Sequence, residues 1–134
     1  MAEQRARKYH QERVAEALKE EIGAMIEGEL SDPRINLCTV SEVALNAGGK
    51  SARVYVALLA VEGMNAGEIL KAEEETVAGL ETAKGYIRHE LKERLGVRHV
   101  PELSFHADRS ERFQARIDEL LTRSEKRRRK LVAE

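Results

Sequence analysis

The sequence has a single cysteine and no long apolar run, and each shortage excludes a class of protein. Cys38 alone cannot form an intrachain disulfide or a thiolate cluster, which favours a reducing compartment. No run of about 18 apolar residues is present to span a bilayer. Residues 1–30 are charged throughout, unlike a signal peptide. We therefore expect a cytoplasmic protein that does not insert into a membrane.

Motifs for catalysis and for cofactor binding are also missing. The chain has four histidines, His10, His89, His99 and His106. They have neither HExxH spacing nor cysteine partners, so we predict no metal site. No serine lies in a nucleophile elbow, and no P-loop or Rossmann glycine pattern occurs. Aromatic residues make up 4% of the chain, too few for a broad base-stacking surface. The sequence thus predicts a protein that is not an enzyme and needs no cofactor.

Charge is abundant but segregated along the chain. Its 134 residues suit one domain, and 35% of them are charged, with a net charge of -1. Residues 61–82 carry six acidic side chains against one lysine, whereas residues 83–99 carry five basic side chains against two acidic ones. Residues 109–130 carry nine basic against four acidic. A polyanion can therefore bind locally despite the small net charge.

Apolar residues at intervals of three and four predict an amphipathic helix over residues 10–29, as in Val14, Leu18 and Ile22. Pro33 ends it, because proline disfavours the helical conformation in the preceding residue. We predict that residues 1–9, which include several basic side chains, form a flexible arm.

Two runs rich in β-branched and aliphatic residues predict a β-hairpin. The runs cover residues 37–45 and 52–59, and the turn between them, residues 46–50, contains two glycines. In the second run Ala52, Val54 and alternate residues beyond them should face a covered side of the sheet, with the others on a wetter side.

Helical spacing resumes in two tandem stretches over residues 69–83 and 87–95, and residues 101–107 alternate like a short strand. Residues 109–134 follow as an amphipathic helix and a basic tail. The predicted order is helix, strand, strand, helix, helix, strand. We therefore predict one α+β domain over residues 10–108.

The join between the tandem helices carries the strongest functional signal. Gly85 interrupts an apolar helical pattern, where glycine costs about 1 kcal/mol relative to alanine. One interpretation is a glycine that permits close helix packing. The other is a kink that lets a nucleic-acid backbone approach the main chain. Lys84 and Arg88, one helical turn apart, favour the second.

Basic residues outside the join are less specific. Arg98 suits a phosphate or a carboxylate equally, and a histidine such as His99 is more often structural than functional. The tail run that includes Arg127 and Arg128 suits phosphates but is also typical of a solvated tail.

Several stretches together resemble the ribosome-binding factor A family, in the same order along the chain. They are Arg13 to Glu16, Ser31 to Arg34, Thr39 to Val43, Ala52 to Val56, Ala83 to Arg88, Arg98 to Phe105, Asp108 and Ala115 to Leu121. The run that begins with Arg-His-Val-Pro-Glu-Leu is the most specific of them, because it follows an Ala-x-Gly join. Gly96 and the glycine-rich turn at residues 46–50 depart from the family pattern.

The resemblance implies a KH-like fold of the second type, with Ala-x-Gly in place of the GxxG loop. It implies a monomeric assembly factor that binds free 30S ribosomal subunits and 16S rRNA, with other assembly factors as further partners. Such a protein assists late maturation, including processing near the 16S 5′ end, and supports growth in the cold.

We therefore expect an rRNA-binding surface and a structural kink formed by Ala83 and Gly85. The rRNA-binding candidates are Lys84, Gly85, Arg88, Arg94, Arg98, His99 and Arg34, with Arg127 and Arg128 of the tail. A protein-interaction module that uses residues 73–75 or the C-terminal helix is the alternative. An enzyme acting on nucleic acid ranks last, because no residue constellation supports it.

Overall fold

The computed structural model describes the backbone of residues 2–108 and the side chains of residues 10–108. The elements are α1 (Ala2–Gly28), β1 (Cys38–Leu45), β2 (Ser51–Leu58), α2 (Ala66–Thr82), α3 (Lys84–Leu95) and β3 (Glu102–Ala107). This confirms the α+β class. The predicted C-terminal helix and basic tail, residues 109–134, lie outside the described residues. Between residues 2 and 108, no helix is long and apolar enough to cross a membrane.

Helix α1 is longer than predicted. It begins at Ala2, so residues 2–9, which we expected to form a flexible arm, are helical in the structure. The physical reason is local propensity. Residues 2–9 contain alanine, glutamate, glutamine, arginine and lysine, with no glycine or proline, so nothing stops the helix from extending beyond its apolar stripe.

The three strands form one mixed sheet in the order β1-β2-β3. β1 and β2 are antiparallel, as predicted for the hairpin, and β3 runs parallel to β2 from the pair Ser51 and Glu102 onward. In the turn at residues 46–50, the Asn46 side-chain oxygen accepts hydrogen bonds from the amides of Lys50 and Ser51, at 3.0 and 3.2 Å. Gly49 has φ +68°, a conformation that glycine adopts without strain.

A β-bulge at Ser41, in the middle of β1, connects the hairpin to the end of β3. The register shifts between Val40 and Glu42, which leaves Ser41 as the extra residue. Its hydroxyl donates to the carboxylate of Asp108 and lies 3.2 Å from the carbonyl of Tyr55. The amide of Asp108 donates to Val56 at 2.7 Å. Asp108 thus holds the end of β3 against the middle of the sheet.

All three helices contribute to one core on one face of the sheet. The largest fully buried side chains include Leu18, Ile22 and Met25 from α1, Leu80 from α2, Ile87 and Leu91 from α3, and Val54 and Leu103 from the strands. Ala52 and Val56 are also buried, which confirms the covered face predicted for the second strand. Ala57, predicted for the wetter face, is buried as well at 2% exposure.

The segment between α1 and β1 is fixed to α2 by polar bonds and by close packing. The hydroxyl of Thr76, 1% exposed, accepts from the Asn36 amide at 3.1 Å and lies 3.0 Å from the Asn36 side-chain nitrogen. A Cβ on Gly79 would lie 2.7 Å from Cγ1 of Ile35. Gly79 is therefore the glycine that close packing requires, a role that the sequence suggested for Gly85.

Candidate nucleic-acid interface

The break between α2 and α3 lies at Ala83, with φ -82° and ψ 0°. Its amide donates to Gly79 at 3.1 Å and its carbonyl accepts from Ile87 at 3.0 Å, so both helices keep their backbone bonds across the join. Gly85 lies in the first turn of α3 rather than at the break. It is exposed, and an added Cβ would meet no atom of the described residues within 4 Å. Gly85 is therefore not required by packing, and its backbone stays open to a ligand.

The start of α3 has further features that suit an anion. No side chain caps the helix at Ala83, and the free amides of a helix N-terminus favour negative charge. Lys84 is the cation nearest to them in sequence. Its ammonium lies 2.5 Å from the carboxylate of Glu81, with 30% of the lysine side chain exposed. Lys84 is therefore partly neutralised, and an anionic ligand would have to compete with Glu81 for it.

Glu81 is a functional candidate that we did not predict from the sequence. Its other carboxylate oxygen accepts from the amide of Phe105 in β3 at 2.9 Å. Partial burial raises the pKa of Glu81, but the bonds from Lys84 and from the Phe105 amide outweigh it, so the pKa is lowered. The spacing of three residues between Glu81 and Lys84 indicates an ion pair on one helix face. The bond to β3 has no signal in the sequence.

Arg88 does not lie on the surface as a free cation. Its Nη2 donates to the carbonyl of Val100 at 3.1 Å. Its Nε is buried and has no hydrogen-bond partner among the described residues. Arg88 thus connects α3 to the loop that precedes β3, a position that differs from the open phosphate ligand suggested by its spacing from Lys84.

Arg98 and His99 lie in that loop and are both exposed. Within residues 10–108, neither makes an ion pair or a side-chain hydrogen bond. The loop begins at Gly96, which adopts the left-handed conformation at φ 63° and whose amide donates to Lys92 at 3.0 Å. Of the predicted rRNA-binding cations in the described part of the chain, Arg98 is the one without a carboxylate or carbonyl partner.

Arg94 lies at the other end of α3, in a cluster of carboxylates. Its guanidinium is 2.5 Å from Glu29, 3.3 Å from Glu90 and 3.6 Å from Glu21. The hydrogen bond to Glu29 is the main reason that the pKa of Arg94 is raised. The structure thus separates Arg94 from the helix join and surrounds it with negative charge, which opposes a phosphate.

Arg34 is paired within its own turn. Its Nε and Nη2 lie 3.1 and 2.7 Å from the carboxylate of Asp32, and its amide lies 2.9 Å from it. These bonds hold the pKa of Asp32 at about 2. Arg127 and Arg128 lie outside the described residues, so their part in the predicted surface stays a prediction.

We take the join and the β3 loop together as the candidate interface: Lys84, Gly85, Arg98 and His99, with Glu81 paired to Lys84 and Arg88 bonded to the loop at Val100. The described residues include no group of three histidine, cysteine, aspartate or glutamate side chains placed to hold a metal ion. The arrangement offers open backbone and cations to an anionic ligand. Together with the fold, it defines a small α+β domain with a cationic helix junction.

Comparison with known proteins identifies the family. Residues 10–121 match the model of the family described as Ribosome-binding factor A. The Ribosome-binding factor A of Koribacter versatilis (strain Ellin345) is 54% identical over 126 residues, which cover 94% of this chain and 96% of that protein. The chain belongs to the ribosome-binding factor A family.

Solved structures agree with this assignment. The crystal structure of ribosome-binding factor A from Thermus thermophilus is 27% identical, with a TM-score of 0.61 over 75% of this chain and 98% of that one. A second match is a homology model of the Thermus thermophilus protein, fitted into the cryo-EM map of a 30S complex. It is 30% identical with a TM-score of 0.52, over 70% of this chain and 90% of that one.

Proposed function

We propose that this protein is a 30S ribosomal subunit assembly factor that binds free small subunits and contacts 16S rRNA through the α2–α3 join and the β3 loop. Family membership supports the ribosomal partner, and the Thermus thermophilus relative fitted into a 30S complex supports the small subunit. The observation that carries the RNA contact is the open backbone of Gly85 beside Lys84.

The fold belongs, on this proposal, to the KH-like type II class. Its support is the tandem helix pair α2 and α3, followed by a strand that runs parallel to the middle strand of the sheet. The Ala83-Lys84-Gly85 join takes the place of a GxxG loop, which in KH domains clamps the nucleic-acid backbone.

The protein acts by binding, without catalysis and without a cofactor, as a cytoplasmic monomer. Its role is late maturation of the subunit, including processing near the 16S 5′ end and growth in the cold. The physical basis is differential affinity. A factor that binds the nearly mature rRNA conformation better than its misfolded alternatives shifts the population toward it. Misfolded RNA persists longer at low temperature, which gives the factor its largest effect there.

The experiment that tests this proposal is co-sedimentation with isolated 30S subunits and with complete ribosomes, across a salt series. We expect binding to free 30S subunits alone, weakening as salt rises. Each phosphate contact contributes about 0.7 to the slope of log affinity against log salt for single-stranded RNA. The charge reversals Lys84→Glu and Arg98→Glu should both weaken binding and lower that slope.

Lys71→Glu is the matched control. Lys71 lies on α2 with 78% of its side chain exposed, about 16 Å before the end of the helix. It should leave binding within about twofold of the wild type. If all three variants bind equally well, the join is not the interface. If purified 16S rRNA does not bind and a protein partner does, the protein-interaction alternative is correct.

A further inference from the structure

The contacts of Arg88 point to a loop rather than to a ligand. Its Nη2 donates to the carbonyl of Val100 at 3.1 Å, and its Nε is buried without a partner in the described part of the chain. A guanidinium that clamps a phosphate uses two parallel donors that face solvent. The guanidinium of Arg88 instead points toward the protein. Burial of its Nε removes that group from water, which costs free energy, and an arginine that only binds ligands at the surface would not need this burial.

The carbonyl of Val100 is an acceptor that the sheet does not use. Val100 is followed by Pro101, and the pairing of β2 with β3 begins at the next residue, with the pair Ser51 and Glu102. The loop is fixed at its start by the Gly96 amide and at its end by the Glu102 amide, which donates to Lys50 at 2.9 Å. Among the described residues, the bond from Arg88 is the one hydrogen bond made to residues 97–101.

We infer that Arg88 is a positioning residue, which holds the β3 loop so that Arg98 and His99 face the same ligand as the α2–α3 join. This inference rests on the proposed function. Arg98 is two residues from the carbonyl that Arg88 binds, so a loop released at Val100 no longer has a fixed place for the guanidinium of Arg98. The affinity of the site for RNA then depends on Arg88 through Arg98 and His99.

The first test measures the loop in the free protein, by the NMR order parameters of the backbone amides of residues 97–100. Arg88→Met removes the donor and keeps an unbranched side chain of similar length, and it should lower these order parameters from about 0.85, the value of a rigid backbone, to about 0.6. The order parameters of β2 should not change. Arg88→Lys, which keeps one donor, should give a smaller decrease. Lys92→Met is the control on the same helix, one turn later and exposed. Equal loop order parameters in wild type and Arg88→Met overturn the inference.

The second test is a double-mutant cycle for 30S binding. Arg88→Met alone should weaken binding by about fivefold, as much as the combined Arg98→Ala and His99→Ala variant does. Adding Arg88→Met to that combined variant should lower the affinity by less than a further twofold. The loop then has no RNA-binding side chains whose position Arg88 could affect. Fully additive losses would identify Arg88 as a phosphate ligand in its own right and overturn the inference.

The two tests separate the failure of this inference from the failure of the proposed function. If the wild type does not bind 30S subunits, the proposed function fails, while the order parameters of the loop still decide whether Arg88 holds it. If Arg88→Met fails to fold by circular dichroism, Arg88→Lys provides both readouts. It should then have lower order parameters at residues 97–100 and bind more weakly than wild type, and unchanged values in both would refute the positioning role.

Discussion

Two glycines in the tandem helices should respond in opposite directions to the same substitution, alanine. Gly79 and Gly85 both lie inside helical segments and neither has a positive φ, so alanine is conformationally acceptable at both. Alanine is favoured over glycine in a helix by about 1 kcal/mol. The difference between the sites is the space around the added methyl group.

At Gly85 the added Cβ meets no atom within 4 Å in the part of the chain that the structure describes. The helix-propensity gain is then unopposed, and Gly85→Ala should stabilise the protein by about 0.5–1 kcal/mol. At Gly79 the Cβ would lie 2.7 Å from Cγ1 of Ile35 and 3.4 Å from Cβ of Arg34. Overpacking of this kind costs about 1–3 kcal/mol. Subtracting the propensity gain of about 1 kcal/mol leaves a net destabilisation of about 0–2 kcal/mol, with a midpoint of about 1 kcal/mol.

Thermal unfolding followed by circular dichroism, with urea unfolding as a second measure, checks both values. For a domain of this size a change of 1 kcal/mol shifts Tm by roughly 3–6 °C. Gly85→Ala should raise Tm, and Gly79→Ala should lower it. A Gly79→Ala variant that is stabilised as much as Gly85→Ala would show that Ile35 moves aside freely, and it would refute the close-packing argument.

The same Gly85→Ala variant also tests function, and in the opposite direction to stability. If an RNA backbone approaches the open main chain at Gly85, the new methyl group occupies part of that space. We expect a more stable protein that binds 30S subunits more weakly. A more stable protein with unchanged binding would show that RNA does not approach at this residue.

Three further predictions concern buried or paired groups. Thr76→Val should destabilise the protein by about 1–3 kcal/mol, because it leaves the Asn36 amide without its acceptor, whereas Thr76→Ser should be close to wild type in urea unfolding. Glu81→Gln removes the carboxylate charge beside Lys84 but keeps an oxygen that accepts from the Phe105 amide, so affinity for RNA should rise severalfold at low salt. Weaker binding would contradict the argument that Glu81 partly neutralises Lys84. Burial raises the pKa of the Cys38 thiol to about 11, so alkylation by iodoacetamide in the native state should stay slow up to pH 9 and accelerate toward pH 11, or on unfolding in urea. Rapid modification at pH 8 would show that the thiol is accessible.

Part of the fold could be predicted because local patterns determine it. The apolar spacing of Leu18 and Ile22, the turn at residues 46–50 and the alternation beyond Ala52 each act over a few residues, and the structure has the predicted elements there. The start of α1 was missed for a related reason. Residues 2–9 are good helix formers without an apolar stripe, and the prediction followed the stripe.

The candidate site was less predictable, because charge in a sequence does not show its partner. Lys84, Arg88 and Arg94 are equivalent in a count of basic residues. In the structure Lys84 pairs with Glu81, Arg88 bonds a carbonyl in the β3 loop, and Arg94 lies among three glutamates. Glu29 is 65 residues from Arg94 in sequence, so no local pattern indicates that contact.

The sequence by itself determined the secondary elements, the polarity of their faces and the family, because propensity, periodicity and motif order are properties of neighbouring residues. Tertiary structure decided which glycine is close-packed and which is open. An added Cβ at Gly79 would contact Ile35, whereas one at Gly85 would contact no atom within residues 10–108. It also decided which cations remain available. The reach of an ion pair or a hydrogen bond is a few ångströms in space, and folding alone brings residues distant along the chain within that reach.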